Sequence, residues 1–245
     1  SGLCPFRCRE RELVSLSPAA SLSDALRLVR SFARIEHMFL QGSLFGSCAP
    51  DVDADFLEAQ RVELDARSWI DFTPGWLSGA DSVFDGLLDQ LELRQRTNVA
   101  MYDAVVAEPR LTAGWHADDY PAGGPTPLLD SIRQLLTARY HRPFDSIGFN
   151  LYRDGNDSVA WHGDRHRKYV TDPIVAILSV GQPRPLKLRQ RHDKGGSGAS
   201  RRWDLGHGDL LVMGGACQHE WEHCVPKTRR GVGPRMSITF RHDTR

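Results

Sequence analysis

NLYRDGNDSVAWHGDRH occupies residues 150–166. Asn150 and Tyr152 stand two apart in one alternating run, Asp154-Gly155-Asn156 is a turn signal, and a second run ends in His162-Gly163-Asp164. Two short runs joined by such a turn predict antiparallel strands rather than a helix. On a strand, residues two apart point to the same side, so Asn150 pairs with Tyr152 on one face and His162 with Asp164 on another. An imidazole nitrogen and a carboxylate oxygen on one face offer two ligands to one ion, and a third must come from a distant strand.

The triplet alone decides little. A chain with ten His and 22 Asp in 245 residues is expected to hold about one His-x-Asp by chance, and three occur. His116-Ala117-Asp118 falls in 112–126, a Gly-, Pro- and Asp-rich stretch that reads as loop. His207-Gly208-Asp209 runs into the apolar LLVMGG and reads as a turn entering a strand, and the next histidine, His219, comes ten residues after Asp209, with little room for a returning strand. His162-Gly163-Asp164 is followed 59 residues after Asp164 by His223, across four predicted strands, a separation that suits a strand returning over the first. Two His and one carboxylate on one face of an octahedron leave three positions open, the pattern of non-haem Fe(II) oxygenases. Arg235 and Arg241, six apart in RMSITFR, share a face of one strand. Their forked guanidiniums match the distal carboxylate of a dicarboxylate such as 2-oxoglutarate, whose 2-oxo acid end chelates iron. Alone, the two arginines would read as decoration of an edge strand; downstream of His-x-Asp…His the first reading is preferred.

Composition sets the wider bounds. Hydrophobic content of 40% and charged content of 25% are those of a soluble globular protein, and a chain of 245 residues buries a substantial core. No apolar run approaches the roughly 20 residues needed to span a bilayer, and the N-terminus lacks the features of a secretory signal. Five Cys without a CxxC pair read as reduced thiols of a cytoplasmic protein rather than a disulfide framework or zinc site. Net charge is zero, yet residues 1–130 carry 11 Lys and Arg against 20 Asp and Glu, and residues 131–245 reverse these numbers. Within 165–202 ten basic residues face two acidic ones, Asp172 and Asp193. Such a cluster suits a polyanion, or the acidic half of the same molecule; its place beside the candidate site favours the polyanion.

Residues 1–35 differ in texture from the rest and read as an extension of unknown role, with an amphipathic helix over DALRLVRSFARI and Ser1-Gly2 as a scar of expression. Residues 36–245 read as one domain. Strands are expected at Val62–Leu64 and Trp69–Phe72, and helices at Asp81–Leu91 and Leu128–Tyr140, each with a 3.6-residue apolar period. After Pro143 short strands follow at Ile147–Tyr152, Ser158–His162, Ile174–Val180, Pro185–Arg189, Arg201–Leu205, Asp209–Met213 and Arg235–Arg241, with a flexible tip at 191–200. Closely spaced strands without intervening helices predict an antiparallel sandwich or barrel. No strand leads into a Gly-rich nucleotide-binding loop.

Taken together, N-x-Y-x-D-G (Asn150, Tyr152, Asp154, Gly155), H-x-D (His162, Asp164), HGDLLVM (207–213), His223 in WEHCVPK and R-x5-R (Arg235, Arg241) resemble the AlkB family of Fe(II)- and 2-oxoglutarate-dependent dioxygenases in order and spacing across 147–241. RTNVAMYDAVVAEPRLTAGW (96–115) is more weakly similar to that family's nucleotide-recognition lid. The resemblance implies a mainly β fold with flanking helices, a double-stranded β-helix (jelly-roll) core over about 143–245 and a lid over about 60–125. It implies Fe(II) on His162, Asp164 and His223, with 2-oxoglutarate held by Asn150, Tyr152, Arg235, Arg241 and Ser179. The implied reaction takes O2 and 2-oxoglutarate to succinate and CO2 while an N-alkyl group of a nucleic-acid base is hydroxylated and shed as an aldehyde, formaldehyde for methyl, as in repair of DNA alkylation damage.

A base inside a duplex must be flipped out or taken from a single strand. Met101, Tyr102, Trp115, Trp161 and His166 are the candidate stacking partners, and Arg110 and Arg165 the candidate phosphate contacts. For Met101, Trp115 and Trp161 core packing is the competing reading. Many members carry acidic residues just after the metal Asp, where this chain has Arg165 and His166; that departure touches substrate choice rather than iron. The expected partner is alkylated DNA or RNA, met by a monomer away from membranes, in the cytoplasm, at the nucleoid of a bacterium or in a nucleus. A protein or small-molecule hydroxylase with the same iron chemistry is the alternative. A binding module with a relict site is disfavoured, because a relict has no physical reason to keep every ligand.

Overall fold

Strand alternation sorts the apolar side chains into two layers. In Ser146–Tyr152, the residues Ile147, Phe149 and Leu151 join one core cluster while Tyr152 joins another. The same division recurs in Arg235–Arg241, where Met236, Ile238 and Phe240 face the first cluster, and Arg235, Ser237 and Thr239 fall on the opposite face by alternation.

The computed structural model describes residues 49–97, 99–101, 104–119, 123–164, 171–191 and 200–242, all within the compact unit Gly46–Arg245. In chain order its elements are β1 (Asp51–Val52), β2 (Gln60–Glu63), β3 (Ser68–Thr73), β4 (Leu77–Ser78), α1 (Ala80–Gln90), β5 (Val99–Met101), β6 (Ala104–Val106), β7 (Leu111–His116) and α2 (Pro127–Tyr140). There follow β8 (Ser146–Tyr152), β9 (Val159–His162), β10 (Val175–Gly181), β11 (Arg184–Gln190), β12 (Arg201–Leu205), β13 (Leu210–Gly215), the single turn α3 (Cys217–Glu220), β14 (Trp221–Val225) and β15 (Arg235–Arg241).

Seven strands form one antiparallel sheet in the order β2-β3-β13-β10-β15-β8-β7, and four form a second in the order β12-β11-β14-β9. The second core cluster draws Ile70, Tyr152, Val175, Ile177, Leu211 and Met213 from the large sheet and Leu186, Leu188, Leu205, Trp221 and Val225 from the small one, so it fills the space between them. This two-sheet arrangement is the antiparallel sandwich that the strand pattern predicts and the jelly-roll core that the resemblance implies. On the other face of the large sheet, α1 buries Val83, Phe84 and Leu87, and α2 buries Leu129, Ile132 and Leu136. Thr126 caps α2, its hydroxyl accepting from the Leu129 N–H at 3.2 Å, and Pro127 opens the first turn where its missing N–H costs nothing.

Two expectations need correction. Residues 112–126 are not all loop: β7 runs from Leu111 to His116 and pairs with β8 along its whole length. Gly114 sits opposite Gly148 in that pairing, so the middle of the strand lacks the β-branched side chains that announce one. Nor does all of 60–125 have the freedom of a lid. Residues 60–63 and 68–73 are strands of the large sheet, and α1 packs on its outer face. The helix expected over 24–35 and most of the tip at 191–200 lie outside the described residues. Among the described residues no helix is long and apolar enough to cross a membrane.

Candidate metal centre and cosubstrate pocket

The small sheet brings the three expected metal ligands together. His223 lies mid-strand in β14, opposite His162 of β9 on one side and Leu188 of β11 on the other. The β9–β14 register shifts between the pairs His223↔His162 and Val225↔Val159, so three steps along β9 answer two along β14. Such a bulge re-aims the side chain beside it. The two imidazole rings end 4.3 Å apart between centroids. His162 Nδ1 lies 2.8 Å from the Ala160 carbonyl, and a proton donated there leaves the Nε2 lone pair for a metal.

Gly163, between the ligands, passes close to its neighbours: a Cβ there would meet the end of the Arg191 side chain and lie 3.1 Å from the Gln218 carbonyl. Asp164 then donates its backbone N–H to Oε1 of the buried Gln218 at 3.1 Å, and its Oδ1 accepts from Arg241 Nη2 at 2.8 Å. Asp164 Oδ2 stands 3.9 Å from His223 Nε2. One ligand atom from each of His162, Asp164 and His223 lies within 4.8 Å of the others, a spacing that one ion can bridge.

Electrostatics prepares these donors. Burial, reinforced by His162, pushes His223 down to about 3, so its imidazole is neutral at physiological pH and has no proton to lose before ligating. Burial works to raise the Asp164 carboxyl, but Arg241 and then the two imidazoles outweigh it and hold the group well below the usual carboxylate range. The two imidazoles of His162 and His223 and the ionised carboxylate of Asp164 are a donor set that fits Fe(II).

The inner face of the large sheet supplies the rest. Tyr152 pairs with Arg235, and Asn150 and Ser179 both pair with Ser237. Arg235 is 1% exposed, donates from Nε to Ser179 Oγ at 2.9 Å, and lies 5.4 Å from the Tyr152 ring centroid. Its Nη1 is buried without a hydrogen-bond partner, and among the described residues no carboxylate pairs with it. Burial pushes this guanidinium down to about 10. A buried cation with an open donor is what the distal carboxylate of 2-oxoglutarate would complete.

Residues 95–241 match the family described as the 2OG-Fe(II) oxygenase superfamily. Over 183 residues the chain is 35% identical to alpha-ketoglutarate-dependent dioxygenase alkB homolog 3 of Bos taurus, covering 69% of this chain and 64% of that protein. The chain belongs to the AlkB family of 2OG-Fe(II) oxygenases. It is also 33% identical over 143 residues to the DNA oxidative demethylase ALKBH2 of Arabidopsis thaliana, covering 51% of this chain and 44% of that protein. It therefore spans less than two thirds of the length of these relatives. In structure it resembles a prolyl hydroxylase of Trichoplax adhaerens, with a TM-score of 0.51 and 10% identity over 71% of this chain and 83% of that one, a likeness of fold.

The structure redistributes the substrate contacts expected of this AlkB-family chain. Trp115 points to the helix side of the large sheet with Leu111 and Ala113, under the Arg133 guanidinium at 5.7 Å, so the sheet stands between it and the metal ligands. Trp161 stacks under Arg189 at 4.4 Å, on the face of the small sheet turned away from His223. Arg110 is turned inward, pairing with Glu108 at 3.2 Å and donating from Nε to Asn150 Oδ1 at 2.9 Å, so it is not placed to meet a phosphate. Met101 ends β5; Tyr102, Arg165 and His166 lie outside the described residues. Gln218 and Glu108 escaped the sequence reading, because each acts only through pairings between segments far apart in the chain.

The two rival histidines have local work. His207 accepts the Gly181 N–H on Nδ1 at 2.8 Å and stands 3.2 Å from Asp81 through Nε2, tying a sheet turn to α1. His116 accepts the Asp118 N–H on Nδ1 at 3.2 Å. His207→Ala and His116→Ala are therefore expected to keep wild-type iron content, measured by metal analysis after loading, while losing roughly 1–2 kcal/mol of stability. Loss of the metal in either variant would reassign the centre.

Proposed function

We propose that this protein oxidatively dealkylates N-alkylated bases of nucleic acid, with DNA the first candidate, using Fe(II), 2-oxoglutarate and O2. The observation that carries the reading is the set of three ligand atoms within 4.8 Å of one another, together with a buried guanidinium, Arg235, that has an open donor. The Bos taurus relative is named a dioxygenase and the Arabidopsis relative a DNA oxidative demethylase, and the second name supports demethylation. The excess of basic over acidic residues in 165–202 supports a polyanionic substrate, although Arg184 is buried, Arg189 is paired with Glu222 and Arg202 is paired with Asp204.

In this reading His162, Asp164 and His223 hold the iron, and Arg235 with Ser179 holds the distal carboxylate of 2-oxoglutarate. Asn150 and Tyr152 face the same molecule from β8. Arg241 keeps Asp164 ionised and occupies one of its oxygens, which leaves the other to face the imidazoles. Iron with its cosubstrate and O2 supplies hydroxylation of the N-alkyl carbon, 2-oxoglutarate leaving as succinate and CO2 and the hydroxylated N-methyl group as formaldehyde. Burial of Asp164 and His223 keeps bulk water from those two ligands, and His162 is half-buried. Tyr102 and Met101 remain the candidates for stacking on the base, and Arg165 and His166 for meeting its strand. The base arrives single-stranded or flipped.

The test is turnover of N-methylated single- and double-stranded DNA and of methylated RNA with Fe(II) and 2-oxoglutarate, scoring formaldehyde against loss of the methyl group. Equimolar release from an oligonucleotide is expected. Release from a methylated or proline-containing peptide, with none from any oligonucleotide, would replace the reading by protein hydroxylation.

A further inference from the structure

Arg110 sits where a phosphate-binding arginine would be sought, just ahead of β7, yet its side chain is 15% exposed and both ends of its guanidinium are engaged inside the protein. Its Nη2 faces the Glu108 carboxylate at 3.2 Å, and Glu108 is itself held, its N–H donating to the Arg96 carbonyl at 2.8 Å and its own carbonyl accepting from Gln95 Nε2 at 2.8 Å. The neighbouring Pro109 carbonyl accepts the Ser158 N–H at 2.8 Å, which fixes this segment against the chain entering β9. From that anchored position Arg110 Nε donates to the side chain of Asn150 at 2.9 Å.

A guanidinium has five N–H donors and no acceptor. The Asn150 atom it meets must therefore be the carbonyl oxygen Oδ1, whatever orientation the carboxamide would otherwise choose. With Oδ1 held, the Nδ2 hydrogens are turned to the other side of the side chain. Asn150 lies on the inner face of β8, in the same pairing row as Ser237 and Ser179, and Ser179 carries Arg235. An amide that showed Oδ1 to an anionic cosubstrate would repel it; one locked to show N–H attracts it. The charge of Arg110 also reaches the Tyr152 hydroxyl, where burial raises the group and Arg235, Arg110 and Arg184 oppose that rise.

We infer that Arg110, held by Glu108, is a positioning residue for 2-oxoglutarate: it locks the Asn150 carboxamide with its N–H donors toward the cosubstrate, and it does not contact nucleic acid. This rests on the reading above in one respect, that Asn150 faces 2-oxoglutarate. Lysine at 110 would still donate to Oδ1 and keep the lock. Glutamine both donates and accepts, so it would let the carboxamide turn. Methionine would remove the lock altogether.

The experiment is binding of 2-oxoglutarate, by calorimetry on Mn(II)-loaded protein without O2, beside binding of a methylated single-stranded oligonucleotide over a range of salt. For Arg110→Met and Arg110→Gln the 2-oxoglutarate Kd is expected to rise about tenfold, the loss of one hydrogen bond to a charged group, with Arg110→Lys near wild type. The oligonucleotide Kd and its salt slope are expected to stay at the wild-type values. Should Arg110→Met fail to fold, Arg110→Gln and Asn150→Asp carry the test; the aspartate keeps the acceptor for Arg110, and its loss of the amide donors is expected to weaken 2-oxoglutarate by more than tenfold. Unchanged 2-oxoglutarate affinity in Arg110→Gln, or an oligonucleotide salt slope lowered by about one unit, overturns the proposal, the second result restoring a phosphate contact. If the wild type binds 2-oxoglutarate but no oligonucleotide, the nucleic-acid reading falls while the calorimetric arm still decides the role of Arg110.

Discussion

Asp164→Ala is expected to abolish 2-oxoglutarate turnover, by about a thousandfold or more, and to strip the protein of iron. Asp164 is the single anionic donor of the three, and both of its oxygens have places, one beside Arg241 at 2.8 Å and one beside His223 at 3.9 Å. Truncation removes the ligand and leaves the Arg241 guanidinium facing two imidazoles with its nearest counter-charge gone. The site then repels a divalent cation instead of attracting one. Asp164→Asn separates the two effects: it keeps the shape and an acceptor for Arg241, but a neutral amide is a poor ligand for Fe(II). Metal analysis after reconstitution, with formaldehyde release measured on the same samples, gives the answer. Retention of one iron per chain with turnover in either variant would move the centre elsewhere.

Arg235→Met is expected to raise the 2-oxoglutarate Kd by two to three orders of magnitude, roughly 3–4 kcal/mol, while leaving the cosubstrate-free protein as stable as the wild type or more so. The opposite signs follow from one fact. Arg235 is fully buried, and burial pushes its guanidinium down to about 10, the mark of a charge that folding alone does not compensate. Methionine fills a similar volume without that penalty. Thermal unfolding with and without 2-oxoglutarate reads both terms together: the melting temperature of the free variant should hold or rise, and the increment added by 2-oxoglutarate should vanish. A free variant that unfolds many degrees lower while still binding 2-oxoglutarate would show Arg235 to be a structural arginine.

The parts of the fold visible in the sequence were those whose signal is local. After Pro143 the alternation located β8, β9, β10, β11, β12, β13 and β15 within a residue or two, because each presents one face to a packed layer. β7 was hidden by Gly114, and β14 by the run CQHEWEHCV, in which a helical turn passes directly into a strand. His223 could still be chosen, since a third ligand needed only a returning strand at a suitable distance.

Trp115 and Trp161 are turned from the metal ligands for a reason the same period supplies. The rule that puts His162 and Asp164 on one face puts their neighbour Trp161 on the other, and the rule that groups Trp115 with Leu111 and Ala113 sends it under the helices. Size and stacking capacity suggested both as base contacts; parity turns both away from the metal ligands. Gln218, Glu108 and the inward turn of Arg110 depend on which distant segments become neighbours, and no short stretch of sequence records that.

The centre divides between the two sheets. The small sheet and the segment leaving it carry the metal ligands, the large sheet carries Asn150, Tyr152, Ser179 and Arg235, and Arg241 reaches from the large sheet to Asp164. The reacting centre is thus a seam, and its width is set by the apolar residues packed between the layers, Leu188 and Ile177 among them. Metal and cosubstrate, once bound, would rivet the halves, so amide exchange in β9 and β15 should slow together on loading although the two strands share no backbone hydrogen bond. In this molecule the tolerance of the chemistry is written into the thickness of the core.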